Sequence, residues 1–171
     1  MDTNQKEMLL ELIEKIAPYY VDEYTILNDN LEESNFIQTG TNYKSDYGTF
    51  LCSIQVFTSE TDIIPFRFYL YPEITIQENK RQAVSELLIR LNAAFGQAQW
   101  ILDFDEGLIY LKTILYIDKT NLPLYQIEMQ SKIMYELFEM HIGAIFKVAF
   151  GDQSPKHIFA ELMNEQDYTM N

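Results

Sequence analysis

The sequence predicts an α+β fold with a mainly antiparallel sheet and its helices on one face, in the order α-β-β-β-α-β-β-α plus a short C-terminal helix. Three observations predict it. Two pairs of β-rich runs are each joined by a short polar turn, the mark of hairpins rather than of parallel crossovers. Apolar residues at helical spacing fall in segments set apart from those hairpins. The chain has 171 residues, 47% hydrophobic and 14% aromatic, enough to bury roughly 70% of its unfolded surface as one domain over 1–171.

Each element has its own local reason. Asn4 with Glu7 forms a capping pair, and Met8, Leu9, Leu12, Ile13 and Ile16 then recur at helical spacing until Pro18 stops the run. From Val21 to Tyr47, Asn, Asp, Thr and Gly surround short apolar pieces, which predicts a loop and one short strand near 35–40. Phe50, Cys52, Ile54 and Val56 alternate with Leu51, Ser53, Gln55 and Phe57, and Ile63 to Tyr71 returns across a polar turn at 58–62, the first hairpin. Pro65 cannot donate to a ladder and belongs near the start of its strand or on an edge.

Thr75 and Glu78 fit a capping box. The helix that follows carries Ala83, Leu87, Leu91 and Phe95 on one row and Val84 with Leu88 on another, with Gly96 as a left-handed close. Trp100, Leu102 and Phe104 alternate up to the turn Asp105-Glu106-Gly107, and Leu108 to Ile117 completes the second hairpin. That last strand is apolar on both faces, so it belongs inside the sheet. Pro123 opens a long helix with Ile127, Met134, Phe138, Ile142, Ile145 and Ala149 in helical register to Gly151, and Ser154-Pro155 opens the terminal helix.

Composition narrows the function classes. Twelve Lys and Arg against 26 Asp and Glu give a net charge of −14, so nucleic acid and anionic membrane meet net repulsion. Ten acids and three bases fall in the first 48 residues, half of the excess. Cys52 is the one cysteine, the first residues lack the order of a secretory signal, and no apolar run reaches the ~20 residues of a membrane helix. A soluble, cytoplasmic, bacterial-type protein is the expectation.

Catalytic and cofactor motifs are absent from the sequence. Asp103, Asp105, Glu106 and Gly107 begin like a calcium loop, but Leu108 and Ile114 stand where it needs glycine and a bidentate acid, so a polar hairpin turn explains the cluster better. His141 and His157 lack partners at metal-ligand spacing; His141, near Glu136 and Glu139, reads as a surface pair, and both histidines as structural. Cys52 falls at an inward strand position, where a thiol is a small hydrophobe with a raised pKa. Met129, Met134 and Met140 on the long helix fit core filling better than an adaptable peptide surface. No phosphate loop or G-x-S-x-G elbow occurs. The expectation is a protein that is not an enzyme and holds neither metal nor nucleotide.

One pattern points toward binding. If Phe66, Phe68 and Leu70 face the helices, period two turns Arg67, Tyr69 and Tyr71 outward; if Ile109, Leu111 and Leu115 face inward, Tyr110, Lys112, Ile114 and Tyr116 turn out. Tyrosine is enriched in interfaces because it buries a large area while keeping a hydroxyl to bond. Its strand propensity accounts for the same pattern without function. Arg67, Tyr69, Tyr71, Tyr110, Lys112 and Tyr116 are therefore the candidate protein-binding residues. The aromatic surface also favours a symmetric homodimer over a monomer.

The segment Leu88 to Asn92, followed by Trp100 to Leu111 with its acidic turn, resembles the YbjN family over about Met8 to Phe150. The resemblance implies the type III secretion chaperone fold and gives Asn92 a structural hydrogen-bonding role. It carries no catalytic residues. It implies a non-enzymatic protein-binding module, chaperone-like or regulatory, holding a segment of a partner protein; members have been labelled sensory transduction regulators. The rival is an acidic immunity or inhibitor protein that neutralises a basic toxin or a nucleic-acid-binding partner, which a charge of −14 would steer.

Overall fold

The structure is a computed structural model that describes residues 3–19, 23–31 and 33–169, without side chains for 3–5 and 165–169. Its elements are α1 (Thr3–Ile16), a 3-10 turn (Ala17–Tyr19), β1 (Thr25–Asn28), β2 (Phe36–Ser45), β3 (Gly48–Phe57), β4 (Ile63–Tyr71), α2 (Glu78–Ala94), β5 (Gln99–Leu102), β6 (Ile109–Asp118), α3 (Leu124–Phe150) and α4 (Pro155–Thr169). The fold is α+β, with six antiparallel strands in the order β1-β2-β3-β4-β6-β5. The chain leaves β4 through α2, lays β5 at the far edge and returns with β6 between them, so the two-sided apolar strand sits inside the sheet.

Period-two alternation places one row of each strand under the helices. On β3 these are Phe50, Cys52, Ile54 and Val56; on β4, Ile64, Phe66, Phe68 and Leu70, all buried. The long helix α3 lies across this inner face. Its Phe138 meets Phe50 at 4.9 Å and Trp100 at 5.6 Å between ring centres, and Tyr135 meets Tyr43 and Phe68. Leu9, Leu12, Ile13 and Ile16 of α1 and Val84, Leu87, Leu88 and Leu91 of α2 complete the same core. Each fully buried side chain of this size contributes on the order of 1.5–3 kcal/mol.

Gly143 interrupts the middle of α3 for a packing reason. The β2–β3 turn folds over the helix, and a Cβ at position 143 would lie 2.5 Å from the Tyr47 hydroxyl and 2.9 Å from its ring carbon. The same turn is tied down by Glu139, which accepts hydrogen bonds from the Tyr43 and Ser45 hydroxyls at 2.7 and 2.8 Å. Asn92 does backbone work at the start of β5. Its amide donates to the Trp100 carbonyl at 2.9 Å and its oxygen accepts from the Trp100 N–H at 2.8 Å, standing in for a strand.

Several local expectations are corrected. The segment read as a loop with one strand near 35–40 holds β1 and the ten-residue β2, which zips against β3 from Phe36↔Phe57 to Ser45↔Gly48. Polar residues such as Gln38, Thr39 and Asn42 sit in β2 because the ladder, not propensity, holds them. Thr75 does not cap α2; its backbone bridges to Leu108, the Ile76 N–H donates to the Gly107 carbonyl, and the helix begins after Gln77 with no side-chain cap. Gly96 does not adopt a left-handed conformation; α2 closes on Phe95, whose N–H bonds the Leu91 carbonyl. Phe104 lies beyond the end of β5 and is exposed. The Asn4 side chain, and with it the Asn4–Glu7 cap, lies outside the described residues.

Candidate functional site

The sheet face opposite the helices is built by the other strand rows. The registers Gln38↔Gln55↔Arg67↔Ile114 and Gly40↔Ser53↔Tyr69↔Lys112↔Gln99 run across it, bordered by Phe36↔Phe57 and Pro65↔Tyr116. All six residues singled out in the sequence therefore share this face, because the buried row on β4 and β6 leaves them the opposite side.

They do not form one cluster. Tyr69, Tyr71 and Tyr110 close into a triangle with ring centres 5.5–5.8 Å apart, within the range of favourable aromatic pairs. Tyr69 is the floor of this triangle, only 7% exposed, so it supports more than it presents. Tyr116 stands apart near the other end of β6, 71% exposed, beside Ile63, Pro65 and Ile114. Burial and the neighbouring phenols push the Tyr71 and Tyr110 hydroxyls up, with Asp103 adding to the effect at Tyr110. They stay protonated, and so remain donors, at any physiological pH.

Arg67 lies between the two groups with its guanidinium 4.2 Å from the centre of the Phe57 ring, a cation–π contact. Its Nε is buried without a hydrogen-bond partner. By contrast, the neighbouring Gln38, Ser53 and Gln55 side chains bond one another, and the Ser53 hydroxyl donates to the Thr39 carbonyl. Two hollows flank the face. One of about 350 Å³ lies where Leu27 folds over Gly40 beside Tyr24 and Leu51. The other, about 290 Å³, lies beside β6 between Gln97, Gln99, Lys112 and Ile114.

Phe36, Phe57, Ile63 and the Gln38–Ser53–Gln55 network were missed as parts of the face. Phe57 and Ile63 were within reach of the same period-two argument. Phe36 and Gln38 were not, because β2 was not legible as a strand.

The structure also places the other groups singled out in the sequence. Cys52 is fully buried, accepts from the Tyr135 hydroxyl at 3.4 Å and is pushed up to about 12 by burial. The expectation that His141 makes a surface pair is corrected: it is buried, its Nδ1 accepts from the Trp100 indole N–H at 3.1 Å, and Phe95 packs against its ring. His157 is the histidine that meets a carboxylate, Glu161 one turn on, at 3.1 Å. Asp103 closes the β5–β6 turn by accepting from the Asp105 and Glu106 amides, while Arg81 of α2 donates to the Phe104 and Asp105 carbonyls. Met134 fills the core, and Met129 and Met140 are exposed. Among the described residues no group of three or more His, Cys, Asp or Glu could hold a metal ion, and no helix is long and apolar enough to cross a membrane. Comparison with protein-family models, with curated proteins and with solved structures finds no match.

Proposed function

We propose that the chain is a non-enzymatic protein-binding module, a chaperone-like or regulatory adaptor that holds a segment of a partner protein against the uncovered sheet face. One observation carries this reading. A six-stranded sheet has helices on one side only, and its other side presents Arg67, Tyr71, Tyr110, Lys112, Ile114 and Tyr116 with no element of the described chain over them. Aromatic and arginine side chains on a rigid sheet are the groups that dominate binding energies at interfaces. The resemblance of the segments Leu88 to Asn92 and Trp100 to Leu111 to the YbjN family points to the same reading.

The test compares two baits, the wild-type chain and Tyr71→Ser/Tyr116→Ser, in affinity capture followed by calorimetry on the purified partner. Both sites are at least partly exposed, so the variant keeps its fold, and binding weakens by more than ~1 kcal/mol per anchoring aromatic. A partner held equally by both baits refutes the reading. The net charge of −14 favours a second reading, an acidic immunity or inhibitor protein. A basic partner whose affinity survives the tyrosine changes decides for it.

A further inference from the structure

Charge on the uncovered face runs against the rest of the molecule. Acids outnumber bases 26 to 12 along the chain, yet the outward strand positions carry Lys44, Arg67 and Lys112 against Asp118 alone. Elsewhere Lys6, Lys80, Arg90, Lys119, Lys132 and Lys147 each lie within 3.7 Å of a carboxylate, and Arg81 is held by backbone carbonyls, which leaves the exposed Lys15 and Lys156 as the other cations without such a partner among the described residues. Lys44, Arg67 and Lys112 have no carboxylate partner among the described residues. Because Arg67 pairs with Ile114, Lys112 is its diagonal neighbour, roughly 7–8 Å away by sheet geometry. Two like charges stand at diagonal positions without a carboxylate partner among the described residues of an acidic protein. Around them the Tyr71 and Tyr110 hydroxyls donate to no acceptor among the described residues, and the Arg67 Nε is buried without a partner.

Resting on the reading of the chain as a protein-binding module, we infer that this face takes an extended, carboxylate-bearing segment of a partner protein, with Arg67 and Lys112 as its charged anchors. Carboxylates supply charge and acceptors for the Lys112 ammonium, the Arg67 guanidinium and the two hydroxyls. The apolar side chains of the segment lie over Ile114, Tyr116 and the tyrosine triangle. Single-stranded nucleic acid fits less well. The tyrosine rings tile against one another instead of standing free to stack bases, and a strand brings a charge on every nucleotide into the field of the surrounding carboxylates, whereas one or two peptide carboxylates need only Arg67 and Lys112.

The test selects dodecapeptides from a random displayed library on the full-length chain, then measures fluorescein-labelled copies by anisotropy. Selected peptides carry Asp or Glu beside aromatic or aliphatic residues, and raising salt from 50 to 500 mM weakens them. Arg67→Gln/Lys112→Gln, checked for fold by circular dichroism, loses at least tenfold in affinity. Arg67→Lys loses less, and Lys15→Gln/Lys156→Gln, which neutralises exposed cations of α1 and α4, binds as the wild type. Basic or uncharged winners, or acidic ones indifferent to Arg67 and Lys112, overturn the inference and leave the module reading standing. Dodecathymidylate bound through Arg67 and Lys112 overturns it in favour of nucleic acid. A dimer in light scattering that the same double variant dissociates overturns it in favour of a second copy of this chain. A library that yields no binder removes both the inference and the reading beneath it.

Discussion

Replacing His141 by glutamine should remove an acid sensitivity that the wild-type core carries. The imidazole is 1% exposed, and burial pulls it from its ordinary 6.5 down to about 4. Nδ1 accepts from the Trp100 indole, so the neutral ring carries its proton on Nε2, which has no partner. A second proton can enter only at Nδ1, where it faces the Trp100 N–H and turns an acceptor into a donor. The unfolded chain binds that proton more readily. Stability from the neutral ring is therefore complete above pH 6.5 and is lost as pH falls toward 4. The full gap is worth about 3 kcal/mol, and about 2 kcal/mol of it is spent between pH 7.5 and 5.0. Glutamine keeps an acceptor for the indole and does not titrate. Urea unfolding of both proteins at the two pH values isolates the histidine's contribution, because the carboxylates are common to both. The wild type should lose about 2 kcal/mol more than His141→Gln. Equal losses would refute the reasoning.

Two further outcomes follow from the packing. Gly143→Ala should change stability little in the wild type, where ~1 kcal/mol of helix propensity is set against displacing the Tyr47 ring, but should stabilise the Tyr47→Ser background by up to that amount. The same effect in both backgrounds, read from urea midpoints, would show that the ring does not require the glycine. Asn92→Ala should cost about 1–3 kcal/mol by unpairing both backbone groups of Trp100, and hydrogen exchange at the Trp100 amide should rise with it; an unchanged exchange rate counts against this role.

Sequence and structure agree most closely where pattern and burial express the same physics. The alternation of Phe66, Phe68 and Leu70 against Arg67, Tyr69 and Tyr71 fixes which side of β4 each occupies, since one register shift would bury an arginine and expose two phenylalanines. The helical rows of α2 and α3 reach the core as their spacing predicts. β1 and β2 were not legible, because Gln38, Thr39, Gly40, Thr41 and Asn42 have no strand pattern of their own and are held by the ladder to β3. The start of α2 was misplaced for a similar reason: Thr75 is claimed by Leu108, more than thirty positions away in the chain.

For the candidate face, the sequence by itself determined membership. Period two and the burial of the opposite row leave no other side for Tyr69, Tyr71, Tyr110, Lys112 and Tyr116. What each member does was decided by the tertiary structure alone. Strand order brings β6 beside β4, and this sets Lys112 diagonal to Arg67, closes three tyrosines into a triangle and leaves Tyr116 outside it. Tertiary contact likewise put His141 against Trp100 when its own helix offered only carboxylates, and placed Gly143 under a tyrosine nearly a hundred residues earlier. The physical reason is range. Side-chain alternation is a property of neighbours along one strand, whereas pairing order and long-range packing are settled only when distant segments compete to bury the same surface.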